Sequence, residues 1–226
     1  MLRRAGFDVV RFAPEINRPF PVLPLLIRER LASGESLFFV QVGANDGVLD
    51  DPLREVVKQN HLPGLLIEPL PDIFAKLKDS YGDQPQLRFE NTAITANAEG
   101  TIPIYRVNGR AHDVPHHWHG IASLDTATLL AQGVPKKQIE RTEVRTATLT
   151  SVLAKHAITK VDLLQVDTEG YDFEIVRAAL NGGILPAIIS YEHCWLVPSI
   201  RFRCKEMLDH YGYRFIEAGK DTIAVR

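Results

Sequence analysis

The stretch that most constrains this chain is Phe38 to Asp51, FFVQVGANDGVLDD. Its first residues are apolar and β-prone, which describes a buried strand. Gly43, Ala44, Asn45, Asp46 and Gly47 then break the run into a turn, and a helical pattern follows after Pro52. A buried strand that enters a glycine turn and then a helix is a common way to build a nucleotide pocket. The glycines let backbone pass close to a ligand and adopt φ > 0. The turn falls at the carboxyl end of its strand, where open α/β sheets bind ligands.

Bulk properties narrow the class. With 226 residues, and a soft prior of about 150 per domain, one large domain with embellishments is expected. A formal net charge of -2 offers no basic field for nucleic acid and no polybasic signal for anionic lipid. Cys194 and Cys204 lie ten apart with no CxxC, against both a disulfide framework and a cysteine zinc site. A reducing, cytoplasmic setting fits. No run approaches the ~18 apolar residues of a bilayer span. MLRRAGFDVVRF has no apolar core of a signal peptide.

The chain divides into an arm and helix over 1–36 and a main domain over 37–226, with a loop insertion at about 107–148. Pro14 to Pro24 reads as an extended arm, which could exchange between subunits and so leaves a homo-oligomer open. Leu25 to Ala32 reads as a short amphipathic helix. From Leu37 onward strands and helices alternate: GLLI at 64–67, DIFAKLKDSY at 72–81, LRFEN at 87–91. That rhythm predicts a parallel sheet with right-handed crossovers. IPIYRV at 102–107 reads as an edge strand because of Pro103. The polar segment 108–120 reads as a loop over the sheet. The rhythm returns at VDLLQV, DFEIVRAAL and AIISY, and GYRFIE and DTIAV read as a closing antiparallel hairpin.

Three features coincide with strand ends. The glycine turn is the first. Glu68, 21 residues after Gly47, is the second, at a spacing suited to accepting hydrogen bonds from ribose hydroxyls. The turn reads GxxxG rather than GxGxxG, and Asp46, Asp50 and Asp51 crowd the helix start. A pyrophosphate would be repelled there, whereas a zwitterionic adenosine compound such as S-adenosylmethionine would not. The third feature is VDTEGYD, 166–172, with Asp167, Glu169 and Asp172. Asp172 reads better as a helix cap than as a functional group, and Asp167 as functional. Glu192 and His193 end the following strand. His193 could deprotonate a hydroxyl, or a divalent ion could sit among Asp167, Glu192 and His193, although a metal is not the preferred reading. His112, His116, His117 and His119 match no structural zinc spacing. They read as a loop that helps close the pocket, with Trp118 as an apolar contact.

On these residues the chain resembles the FkbM-type family of S-adenosylmethionine-dependent methyltransferases. The resemblance rests on VGANDG at 42–47, IEPLPDIFAKL at 67–77, NTAI at 91–94, IASL at 121–124, LLQVDTEGYDFEIVRAAL at 163–180, SYEH at 190–193 and the closing hairpin. It implies an α/β, Rossmann-like class I methyltransferase fold. That fold has a seven-stranded, mostly parallel sheet, one antiparallel strand near the C-terminus and helices on both faces. It also implies O-methylation of a hydroxyl on a sugar or natural product. Carried over, Gly43, Ala44, Asn45 and Gly47 would wrap the amino-acid part of S-adenosylmethionine. Glu68, beside Pro69, would bind the ribose, and Asn91, Thr92 and Ala93 would lie near the adenine. Ser123 would touch the cofactor and Asp167 would face the methyl-transfer centre. Where the family often has Asp before VGAN, this chain has Gln41, whose carbonyl can accept from an ammonium group without adding charge. Asp167, Glu192 and His193 are the catalytic candidates. A nucleotide-binding oxidoreductase and a non-catalytic adenosine-binding module are the competing readings. The expected acceptor is a small molecule or glycan. Arg106, Arg110 and the histidine loop suit a polar, glycosylated or acidic one.

Overall fold

The computed structural model describes residues 21–96, 100–108, 114, 115 and 118–226. Calls that fall on residues 1–20, Arg110, His112, His116 and His117 lie outside these. The helices are α1 (Val22–Ala32), α2 (Arg54–Asn60), α3 (Pro71–Tyr81), α4 (Thr126–Ala131), α5 (Leu149–Lys155), α6 (Asp172–Asn181) and α7 (Pro198–His210). The strands are β1 (Phe39–Val42), β2 (Gly64–Ile67), β3 (Leu87–Glu90), β4 (Ala93–Ile94), β5 (Gly100–Val107), β6 (Ala122–Ser123), β7 (Ile139–Ala147), β8 (Leu163–Val166), β9 (Ile188–Glu192), β10 (Arg214–Ala218) and β11 (Asp221–Val225).

Seven strands form the main sheet in the order β10-β11-β9-β8-β1-β2-β3. The pairs among β9, β8, β1, β2 and β3 are all parallel. β11 runs antiparallel to both of its neighbours, β9 and β10. The seven-stranded sheet with one reversed strand is therefore present. Successive crossovers leave β1 in one direction toward β2 and β3, and leave β8 in the other toward β9. The β1–β8 junction is thus the switch point at which such sheets open a crevice.

β1, β2, β8 and β9 are buried along their whole length, as parallel strands covered on both faces must be. Val40, Val42, Leu164, Val166, Ile189 and Tyr191 pack on the face covered by α5, α6 and α7. Phe39, Leu66, Leu163 and Ile188 pack on the opposite face, with residues of α1, α2 and α3. Alternation then assigns the next residues along. On the α1–α3 face Phe39 is followed by Gln41, Leu163 by Gln165 and then Asp167, and Ile188 by Ser190 and then Glu192. An apolar floor becomes polar at the carboxyl ends.

Two expectations need correction. The proline-rich arm was placed through Pro24, but α1 begins at Val22 with Pro21 as its cap. Pro24 sits in the first turn, where its missing N–H would be unbonded in any case. The segment expected as a loop insertion, together with residues just before it, builds a second, four-stranded sheet in the order β4-β7-β5-β6. β7 pairs with all of β5, whereas β6 pairs only at Tyr105 and Arg106. Pro103 therefore does lie where one side of β5 is unpaired. No described helix is long and apolar enough to cross a membrane.

Candidate active site

A cleft of about 240 Å³ opens at the switch point. One end is built by the glycine turn. Gly43 adopts φ 80°, and a Cβ there would stand 1.7 Å from the Asp167 carbonyl oxygen. Only glycine lets the ends of β1 and β8 close up in this way. The amides of Gly43 and Ala44 both donate to the Ile67 carbonyl at 3.0 Å. Asn45, at φ 48°, donates its amide to Glu68 Oε2 at 3.0 Å, and the Leu70 amide donates to Glu68 Oε1 at 2.9 Å. Glu68 thus staples the turn to the end of β2. Burial pushes its carboxyl up to about 7, against the pull of those two amides.

Gln41 lies under this turn. Its Nε2 donates to Asp51 Oδ1 at 3.1 Å, while its buried Oε1 has no partner. Asp51 also accepts from the Leu53 and Arg54 amides and from the Tyr81 hydroxyl. Asp46 Oδ1 accepts from the Val48 and Leu49 amides. Two of the three acidic residues after the glycines therefore shape the chain, and Asp50 lines the cleft.

The other end is built by β8, β9 and the closing hairpin. Asp167, Glu169 and Glu192 bring one carboxylate oxygen each to within 4.8 Å of one another. Lys220, in the β10–β11 turn, places Nζ 3.2 Å from Glu192 Oε1 and 3.9 Å from Asp167 Oδ2. Burial and the charge of Glu192 raise the Asp167 carboxyl to about 7, with Lys220 opposing. Burial, then Asp167 and Glu192, raise Glu169 to about 9. Burial alone would lower the Lys220 ammonium, but Asp167 and Glu192 outweigh it and raise its pKa. Asp172 is fully buried and accepts from the Thr168 hydroxyl and the Gly170 amide, each at 3.2 Å. It braces the Asp167–Gly170 loop from the first turn of α6. That agrees with a structural role, although the helix cap itself is Tyr171.

Of the residues carried over from the resemblance, Gln41, Gly43, Ala44, Asn45, Glu68, Pro69, Thr92, Ala93, Asp167 and Glu192 line the cleft. Four others are placed differently. Gly47 faces α3, where a Cβ would meet Leu77, Tyr81 and Ser80. Asn91 Nδ2 donates to the Glu68 and Pro69 carbonyls, holding the β2–α3 turn from behind. Ser123 Oγ donates to the Glu169 carbonyl at 2.7 Å. His193 is the plainest correction. It follows Glu192 by one residue, so strand alternation turns it to the other face. Its Nδ1 lies 2.9 Å from Thr222 Oγ1, and it belongs neither to the cleft lining nor to the carboxylate cluster. Arg106 is outside the cleft lining too, and Asp72 takes its two terminal guanidinium nitrogens at 2.6 and 2.9 Å.

Lys220 and Gln165 are cleft residues the sequence reading did not assign, and Glu169, noted there within VDTEGYD, joins Asp167. A signal for Gln165 was present. FVQV and LLQV are each an apolar run broken by one glutamine, and parallel pairing sets Gln41 opposite Gln165. The turn at Trp118–Gly120 closes over the glycine turn, since a Cβ on Gly120 would fall 2.1 Å from Asn45 Oδ1. Trp118 packs in the apolar cluster of Val107, Ile121, Leu129 and Val134.

Residues 41–215 match the methyltransferase FkbM domain. The chain belongs to the FkbM methyltransferase family. The resemblance read from its motifs is borne out, and with it S-adenosylmethionine as methyl donor. The oxidoreductase alternative falls away. No curated protein matches the chain. Among solved structures, the N-terminal domain of human METTL16 in complex with SAH is similar, at 12% identity and TM-score 0.47, over 99% of this chain and 78% of that one. Precorrin-6y C5,15-methyltransferase from Geobacter metallireducens is similar at 10% identity and TM-score 0.45, over 96% and 94%. A fibrillarin pre-rRNA processing protein of Methanococcus jannaschii is similar at 10% and 0.43, over 84% and 66%. These overlaps are too loose to bear on the activity of the FkbM domain.

The residues present fit the methyl donor. Gly43, Ala44, Asn45 and Glu68 line one continuous cleft with Asp167. The unpartnered Gln41 Oε1 is an acceptor for an ammonium group. Glu68, with each carboxylate oxygen holding a single amide, retains lone pairs for two hydroxyls.

Proposed function

We propose that this FkbM methyltransferase methylates a hydroxyl oxygen on a sugar or natural-product small molecule. The observation that carries this reading is the carboxylate cluster of Asp167 and Glu192, in one cleft with the glycine turn and Glu68. S-adenosylmethionine supplies an electrophilic methyl group on a sulfonium. The chain's own part is to orient donor and acceptor and to take up the hydroxyl proton, and much of the rate comes from that positioning. Gln41 and the turn Gly43–Asn45 hold the amino-acid end, Glu68 the ribose, and Thr92 and Ala93 the base. Asp167 would accept the hydroxyl proton as the oxygen–carbon bond forms and the methyl–sulfur bond breaks, leaving S-adenosylhomocysteine. With Arg106 already paired and three carboxylates in the cleft, a neutral or cationic polyol suits the site better than an acidic acceptor.

The test is a screen of hydroxylated acceptors with a labelled methyl donor, repeated with Asp167→Asn. Turnover at saturating donor is expected to fall by roughly 10²-fold or more, with S-adenosylhomocysteine binding retained. Full turnover in Asp167→Asn would remove Asp167 as the proton acceptor. Binding of the donor with no transfer to any acceptor would favour the adenosine-binding module.

A further inference from the structure

The carboxylate end of the cleft is assembled at evident cost. Three acidic side chains converge, although like charges at such range repel. Glu169 does so from a left-handed backbone at φ 54°, which few non-glycine residues adopt. Three separate braces hold it there. Gln132 Nε2 donates to Glu169 Oε2 at 2.6 Å, Ser123 Oγ donates to the Glu169 carbonyl, and Asp172 grips Thr168 and Gly170 on either side.

We propose that Asp167, Glu169 and Glu192 bind a divalent cation of the hard, oxygen-preferring kind, Mg²⁺ or Mn²⁺. A further observation points to a ligand there. Gln165, outside the acidic cluster, is 4% exposed, and its Oε1 is unpartnered. Gln165 precedes Asp167 by two residues on β8 and pairs with Ser190, two residues before Glu192. Its amide therefore lies on the face, and one layer beneath, the two carboxylates that crown these strands. The cluster's own donors are all oxygen, and burial keeps the Cys194 thiol beside Glu192 protonated, which selects a hard cation. Three carboxylates leave coordination positions for water, as Mg²⁺ prefers, and a substrate hydroxyl could replace one of those waters. Only that last role rests on the methyl-transfer reading.

Lys220 is the built-in competitor. Its ammonium already lies against Glu192 and Asp167, and its side chain is 47% exposed, free to swing outward. One ammonium serves three acidic groups, with the charges of Asp50 and Asp221 also acting on the cluster.

Mn²⁺ titrated into the full chain, with the free-ion electron paramagnetic resonance signal as readout, tests the site. One bound ion is expected. Glu169→Gln and Glu192→Gln should each weaken binding at least about tenfold, and Lys220→Met should tighten it by about tenfold. Circular dichroism checks that each variant is folded, and Glu169→Gln serves if Glu192→Gln is not. Calorimetry with S-adenosylhomocysteine is run on the same samples. S-adenosylhomocysteine binding without Mn²⁺ binding at millimolar ion, in both the natural chain and Lys220→Met, overturns the cation site and leaves the methyl-donor reading intact. Mn²⁺ binding undiminished in both glutamine variants overturns it as well.

Discussion

The two ends of the cleft solve opposite problems. At the glycine turn nearly every polar group is matched within the protein: Glu68 holds two amides, Asp51 holds four donors, and Asp46 closes its own turn. That end is finished as a fold, and it grips by the shape of its backbone. At the carboxylate end three acidic groups are pressed together and the buried Gln165 Oε1 lacks a partner. That end is held by its surroundings and is completed only from outside. The contrast teaches that one crevice can combine a pre-paired frame with an unbalanced cluster of acids.

The largest effect that would break the contrast is at Gly43. Gly43→Ala forces a Cβ into the Asp167 carbonyl and disturbs both ends at once. It should cost about 3 to 5 kcal/mol in urea unfolding, and a loss below 1 kcal/mol would show that the two ends are not mechanically joined. Next is the pH response of the donor end. Burial raises the folded Glu68 carboxyl to about 7 from an ordinary value of 4.5. The folded state therefore holds the proton that the unfolded state has released. Stability from this group falls as pH rises from about 4.5 to about 7, by up to roughly 3 kcal/mol. Glu68→Gln should flatten that slope in melts taken across the window. A smaller effect sharpens the picture of the frame. Gln41→Leu removes the one unpaired acceptor beneath the turn and should weaken S-adenosylhomocysteine binding about tenfold by calorimetry. Unchanged affinity would mean that Oε1 meets no ligand. Smallest is His193→Ala, which removes the Thr222 contact outside the cleft. It should cost about 1 kcal/mol of stability while turnover stays within about threefold. A collapse of turnover would bring His193 back into the chemistry.

The donor end was legible in the residues because its signals are local. A glycine turn after a buried strand, and an acid at the end of the next, follow from chain order alone. The same holds for the sheet, whose strands announce themselves as apolar runs. The acceptor end was only half legible. Asp167 and Glu192 stand at strand ends, but Lys220 and Glu169 reach the site through a hairpin turn and a left-handed residue that composition does not mark. His193 was misplaced because its nearness in sequence to Glu192 outweighed the two-residue period that separates their faces. The second sheet escaped because β5 and β7 pair across a long separation, and each alone resembles an irregular edge.

The closing hairpin sets an order of events in synthesis. β11 lies between β9 and β10 in the sheet, yet both are made before it. Until residues 221–225 leave the ribosome, the open side of β9 carries unpaired backbone groups, and Asp167 and Glu192 stand together without their ammonium. The nascent domain therefore holds a repulsive pair of side chains beside an unpaired strand edge. Insertion of one short segment removes both liabilities in a single step.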